Sequence, residues 1–95
     1  MTFEKLYRII VNRKRNLPDN SYVTSLFCKG DEAVIQKVGE EAIEVIVAAK
    51  SGKRQRIISE VADLWFHTLV MLALYKITPE EVFKELKTRN LKSYR

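Results

Sequence analysis

Apolar side chains return every three or four residues along most of this 95-residue chain, the spacing that gathers them on one face of a helix. Three glycines and two prolines are the main interruptions, and the helical rather than alternating pattern between them predicts an all-α fold. Phe3, Leu6, Tyr7 and Ile10 mark a first helix, which should stop before the turn formers Leu17-Pro18-Asp19-Asn20. Ser21 can cap a short second helix that carries Tyr22, Val23, Leu26 and Phe27 and ends at Gly30. Asp31 is the expected N-cap of a long third helix closing at Gly52, and a fourth should run from about Lys53 to Tyr75. Thr78-Pro79-Glu80-Glu81 joins a capping box to a proline at the first helical position, the clearest helix start in the chain. No repeat or linker divides residues 1–95, which read as one domain of four to five helices with a helical hairpin at its core. The tail after Leu91 is expected to fray.

Acidic residues concentrate on the third and fourth helices, in Lys37-Val-Gly-Glu40-Glu41-Ala-Ile-Glu44 and Glu60-Val-Ala-Asp63-Leu-Trp-Phe-His67. At roughly 100° per residue, Val38, Ala42, Val45 and Ala49 share one face of the third helix. Lys37, Glu41 and Glu44 border that face, and Glu40 points further outward. On the fourth helix Val61, Leu64, Trp65, Thr68 and Leu72 share a face flanked by Glu60, Asp63 and His67. A tight turn at Gly52 makes the helices antiparallel, which brings both flanking stripes to the same side of the pair. In a symmetric hairpin centred on residue 52, Glu44 faces Glu60, Glu41 faces Asp63 and Lys37 faces His67.

Four carboxylates then fill a rectangle about one helical turn long, with a lysine and a histidine beyond it. Charges so close repel, and a divalent cation would relieve them; an all-oxygen set suits Mg²⁺ or Mn²⁺ far better than zinc. Either acidic motif alone is more often just the pattern of a solvated helix face. Their shared register, handedness and position beside the apolar faces are what raise the metal reading. His67 stays open between a hydrogen-bonded histidine at the core edge and a catalytic group. Trp65 and Phe66 read as packing residues, and Cys28 as a small buried apolar one.

Seventeen basic against twelve acidic residues leave a net charge of +5, which favours polyanionic partners without choosing among them. The lone cysteine cannot form an internal disulfide, and Met1-Thr-Phe-Glu-Lys lacks the layout of a signal peptide, so a reducing cytoplasm is the expected compartment. The apolar stretch Leu64 to Tyr75 is interrupted by His67 and Thr68 and falls short of the roughly 20 residues that cross a bilayer, so no membrane span is expected.

The acidic positions also resemble a family. Glu40, Glu41 and Glu44, followed by Glu60 and Asp63, match the Glu-Glu-x-x-Glu and Glu-x-x-Asp pattern of the all-α, MazG-like nucleoside triphosphate pyrophosphohydrolases. A longer set resembles the phosphoribosyl-ATP pyrophosphatase family within them, across essentially the whole chain. It comprises Ser21-Tyr22, Lys29-Gly30, Gln36-Lys37-Val38-Gly39-Glu40-Glu41-Ala42 with Glu44, and Ala62-Asp63-Leu64 ending in His67. The resemblance implies Glu41, Glu44, Glu60 and Asp63 as metal ligands, Glu40 as a general base or a support behind the ligands, and Lys29 and Lys37 as phosphate contacts. The reaction it implies is Mg²⁺-dependent hydrolysis of phosphoribosyl-ATP to phosphoribosyl-AMP and pyrophosphate, the second step of histidine biosynthesis. Cys28, Val61 and the basic turn of Lys53, Arg54 and Arg56 depart from the family pattern. A substrate with a triphosphate and a separate ribose phosphate asks for cations beyond the metal, and Lys29, Lys37 and Lys53 are the candidates, with His67 as a further substrate-binding group.

Two other functions fit parts of the pattern. A house-cleaning nucleotide pyrophosphohydrolase would share the carboxylates and differ in substrate. A non-enzymatic helical module would bind nucleic acid through Arg13-Lys14-Arg15 and Lys53-Arg54-Gln55-Arg56, but only charge supports it. The segment Leu64 to Tyr75 is apolar nearly all round, more than a small domain can cover. A homodimer is therefore expected, its two hairpins packed into a larger helical bundle, with basic groups of each chain near the other's carboxylates.

Overall fold

The computed structural model describes residues 1–89, which form five helices and no strand. They are α1 (Phe3–Asn16), α2 (Tyr22–Lys29), α3 (Asp31–Ser51), α4 (Arg54–Leu74) and α5 (Pro79–Thr88). The all-α class and the order of elements agree with the sequence reading; the fraying expected after Leu91 lies outside the described residues.

Local chemistry sets the helix limits. Thr2 starts α1 by accepting from the Lys5 N–H at 3.1 Å, and Leu17 stops it in the left-handed region at φ 47°. Ser21 caps α2 as expected, accepting from the Thr24 N–H at 3.3 Å. Asn20 at φ 63° and Gly30 at φ 103° bracket this eight-residue helix with two left-handed joints. Gly30 closes α2 and is also the N-cap of α3, so Asp31 is not the cap expected of it. It falls in the first helical turn, where its charge faces the positive end of the helix dipole. At the hairpin turn Gly52 adopts φ 70° and donates to the Ala49 carbonyl at 3.1 Å, a geometry that side chains with a Cβ resist. The predicted capping box is present: Thr78 Oγ1 accepts from the Glu81 N–H, and the Thr78 N–H donates to Glu81 Oε2 at 2.8 Å.

One core joins these helices, built from Tyr7 and Ile10 of α1, Val23 and Leu26 of α2, Val34 of α3, and Leu69, Val70 and Ala73 of α4. The α3–α4 hairpin is the most extensive helix pair. Its facing surfaces differ from the sequence expectation. The buried line of α3 runs Val34, Glu41, Ala48, while Val38, Ala42 and Val45 are half-buried and Ala49 is exposed. The seam is thus rotated toward Glu41, because α3 must pack on α2 as well as on α4. On α4 the deepest positions are His67, Leu69, Val70 and Ala73, facing the core. Trp65, expected inside the hairpin, is 54 % exposed and meets Phe3 edge-on at 5.1 Å, and Phe3 in turn stacks on Phe83 at 5.8 Å. Cys28 is exposed and not buried as expected, since the buried face of α2 is taken by Val23 and Leu26.

Taken from Arg54 to Leu74, α4 is long and apolar enough to cross a membrane by length and composition alone, which the shorter stretch from Leu64 did not suggest. Here its residues Leu69, Val70 and Ala73 are buried against α1 and α2. Two substitutions test this account of the fold. Ile10→Ala, at a fully buried site, should cost about 3 kcal/mol, and Thr78→Ala, which removes one cap, about 1 kcal/mol. Denaturant unfolding followed by circular dichroism reads both; an equal cost for the two would contradict the assigned core.

Candidate active site

The antiparallel hairpin sets the acidic stripes of α3 and α4 side by side. One oxygen each from Glu41, Glu60 and Asp63 lies within 4.8 Å of the others. Glu41 is only 9 % exposed, Glu60 is half-buried, and Asp63 opens to solvent. Glu41 and Asp63 come together as the hairpin register predicts. Glu44 does not join them: it stands exposed on α3, outside this group of oxygens. The rotated seam explains the difference. Three residues along a helix turn a side chain by about 60° from the starting line, so centring the seam on Glu41 carries Glu44 outward. In place of the expected rectangle there is a triangle of three carboxylates, with Glu44 exposed about one helical turn beyond Glu41 on α3. Three hard oxygen donors on two packed helices, with no thiol or imidazole among them, fit Mg²⁺ or Mn²⁺.

Lys37 lies one turn before Glu41 and serves two acids. Its Nζ is 3.4 Å from Glu41 Oε1 and 3.6 Å from Glu40 Oε1. Glu40 is exposed, outside the triangle, and its other oxygen accepts from Gln36 Nε2 at 3.0 Å. Burial works against the Lys37 ammonium, but the adjoining Tyr22 phenol, the hydrogen bond and charge of Glu41, and Glu40 outweigh it, so its pKa is raised above 10.5.

His67, one turn after Asp63, is 5 % exposed. Its Nδ1 lies 2.7 Å from the Asp63 carbonyl oxygen, and its Nε2 lies 2.7 Å from the Tyr22 hydroxyl. Tyr22 of α2 thus holds His67 and lies within the electrostatic reach of Lys37. Burial raises the Tyr22 pKa; Lys37 opposes that, and Glu41, Asp63 and Glu40 reinforce it. Sequence reasoning did not choose Tyr22 as a site residue. The residue after a helix cap looks like a packing position, and no periodicity relates it to a histidine 45 residues away. The pairing Ser21-Tyr22 within the family pattern was the available signal. Lys29 and Lys53 are both exposed, one at the end of α2 and the other at the cap of α4. Neither contacts the carboxylates among the described residues.

A profile of the family described as phosphoribosyl-ATP pyrophosphohydrolase matches residues 3–90. Curated relatives named phosphoribosyl-ATP pyrophosphatase align over nearly the full chain. The one from Geobacter sulfurreducens is 52% identical over 86 residues, spanning 90% of this chain and 80% of the relative. One from Burkholderia cenocepacia is 49% identical over 92 residues, covering 93% and 76% of the two chains. The Methylibium petroleiphilum protein is 48% identical over 88 residues, covering 93% and 73%. Agreement of this extent, on a hairpin that carries the acidic pattern in place, means that the chain belongs to the phosphoribosyl-ATP pyrophosphohydrolase family.

Proposed function

We propose that this chain hydrolyses phosphoribosyl-ATP to phosphoribosyl-AMP and pyrophosphate, the second step of histidine biosynthesis, as a Mg²⁺-dependent cytoplasmic homodimer. The observation that carries this reading is the triangle of Glu41, Glu60 and Asp63 beside Lys37, in a member of this family. These three carboxylates, with Glu44 about one helical turn beyond Glu41, would hold Mg²⁺ or Mn²⁺, which when bound supplies positive charge to the phosphoanhydride oxygens.

The chain's own groups account for the other requirements of phosphoanhydride hydrolysis. Glu40 lies outside the triangle with its carboxylate in solvent, the placement of a base that takes a proton from the attacking water. Lys37 stays an ammonium far above neutral pH and presents that charge to the phosphate oxygens. Lys29 and Lys53 extend the positive field for the phosphates further from the triangle. The outer face of α3 exposes Ile43, Ile46 and Val47, and α4 adds Ile58 beyond the same hairpin. A second copy covers this apolar surface and brings its basic side chains toward the carboxylates.

The direct test is incubation with Mg²⁺ and phosphoribosyl-ATP, with ATP and oxidised nucleotides in parallel. Pyrophosphate from the first alone is expected; release from all alike would favour the house-cleaning reading. Glu41→Gln, Glu60→Gln and Asp63→Asn should each lower turnover at limiting Mg²⁺ on the order of 100-fold, while removal of one repelling charge preserves or raises the metal-free melting temperature. Any one of these variants that works normally at limiting Mg²⁺ is not a ligand.

Lys37→Ala should raise KM roughly 10-fold, the cost of one charge-assisted hydrogen bond, with little effect on Mg²⁺ affinity. It should also change the alkaline stability. The folded-state pKa of Lys37 lies above 10.5, so its contribution is complete below pH 10.5 and is lost as pH rises through the folded value. Wild-type melting temperature should therefore fall more steeply than that of the variant above pH 10.5, and parallel curves would contradict the pairing. Light scattering at micromolar concentration should give the mass of two chains, reduced to one by Ile46→Glu; a fully active wild-type monomer would sink the dimer.

A further inference from the structure

Both ring nitrogens of His67 are engaged inside the protein, and for the neutral ring their partners set which way the hydrogen bonds run. The Asp63 carbonyl oxygen can only accept, so Nδ1 carries the ring hydrogen. In the neutral imidazole Nε2 is then the acceptor, and the Tyr22 hydroxyl donates its single hydrogen to it. With the ring in that form, the phenol oxygen retains lone pairs and has no hydrogen left to give. Edge-on contact between the Tyr22 and His67 rings at 5.6 Å, and between His67 and Phe66 at 5.2 Å, holds the phenol on this heading.

Tyr22 is nevertheless 47 % exposed, whereas His67 is not. Its hydroxyl is held by His67, whose other nitrogen is held by the backbone carbonyl of Asp63, and this chain of contacts places the phenol one helical turn from the carboxylate triangle. An oxygen that can only accept is ill suited to touch a phosphate, whose oxygens are also acceptors. It suits a hydroxyl or an N–H group. Lys37, beside it, has the opposite preference.

We propose that Tyr22 is a specificity-determining residue, its phenol oxygen accepting a hydrogen bond from a sugar hydroxyl or an exocyclic N–H of the substrate's nucleoside portion. His67 acts through it as a positioning residue. The assignment rests on phosphoribosyl-ATP being the substrate, and it divides recognition at the site: cations read the phosphates, and Tyr22 reads the part that distinguishes this nucleotide from a bare polyphosphate.

Equilibrium binding and steady-state hydrolysis should be measured for wild type and Tyr22→Phe. The ligands are phosphoribosyl-ATP, forms lacking one sugar hydroxyl each, a form with oxygen in place of the exocyclic nitrogen, and inorganic pyrophosphate. The wild type should lose roughly 3- to 10-fold in affinity with the one form that lacks the donor, as for one neutral hydrogen bond. Tyr22→Phe should show that loss already with the complete substrate, lose nothing more with that form, and bind pyrophosphate as the wild type does. The form that gives this non-additive pattern identifies the donor as sugar or base. Circular dichroism melting confirms that the phenylalanine variant is folded, and the discrimination ratio is unaffected by a merely structural role. Discrimination equal to wild type, or an equal loss for every ligand including pyrophosphate, would overturn the assignment. A wild type that releases no pyrophosphate from phosphoribosyl-ATP would overturn the functional reading and this one together; normal turnover with unchanged discrimination would overturn this one alone.

Discussion

Three carboxylates with oxygens inside 4.8 Å of one another set the terms for the rest of this molecule. Each pair of such charges repels by roughly 1 kcal/mol in water and about 3 kcal/mol near a protein surface, with the lower figure closer for the exposed Asp63. Glu41 lies in the middle of the α3–α4 seam, where solvent relieves it least. The hairpin must therefore be held shut by groups elsewhere. The Gly52 turn fixes its register, and the core shared by α1, α2, α3 and α4 supplies the apolar burial that holds the helices together. Lys37 offsets part of the repulsion but divides its charge between Glu41 and Glu40.

The same arrangement separates two tasks. Residues that hold charge sit on long helices, α3 and α4, whose spacing is set by packing along their length. On the assignment proposed for Tyr22, the nucleotide's uncharged part is met from α2, a short helix that reaches the site through that side chain. His67 connects the two, since it belongs to α4, shares its backbone turn with Asp63 and orients the tyrosine. A change at His67 is therefore felt on both sides of the site.

Most of the helical frame could be read from the chain because its start and stop signals are local. Ser21, Gly52 and Thr78 each act within four residues, and all three do what their types suggest. Hairpin register was legible for a related reason: a tight turn fixes the distance of every residue from the bend, which brought Glu41 opposite Asp63. Helix rotation was not legible. It depends on how a third element competes for the same face, and α2 draws Val34 and Glu41 inward at the expense of Glu44 and Ala49. Cys28 failed for the same reason, since side-chain type alone does not say which face of an eight-residue helix wins the core. Tyr22 escaped because its partner is remote in sequence and the signal is one of contact, not of period.

The pair of left-handed joints at Asn20 and Gly30 sets α2 off as a short helix with one face in the core and the other, Tyr22, Ser25, Cys28 and Lys29, in solvent. Gly30 also ties α2 to the hairpin, since its carbonyl accepts from the Val34 N–H at 3.4 Å, and Val23 and Leu26 are buried in the shared core. Substitutions confined to the exposed face of α2 can therefore alter what a substrate meets there while the core contacts and the Gly52 bend stay as they are. For protein engineering, the exposed positions Tyr22, Ser25, Cys28 and Lys29 are the natural ones to randomise when a different nucleotide is wanted, with Asn20, Val23, Leu26 and Gly30 kept.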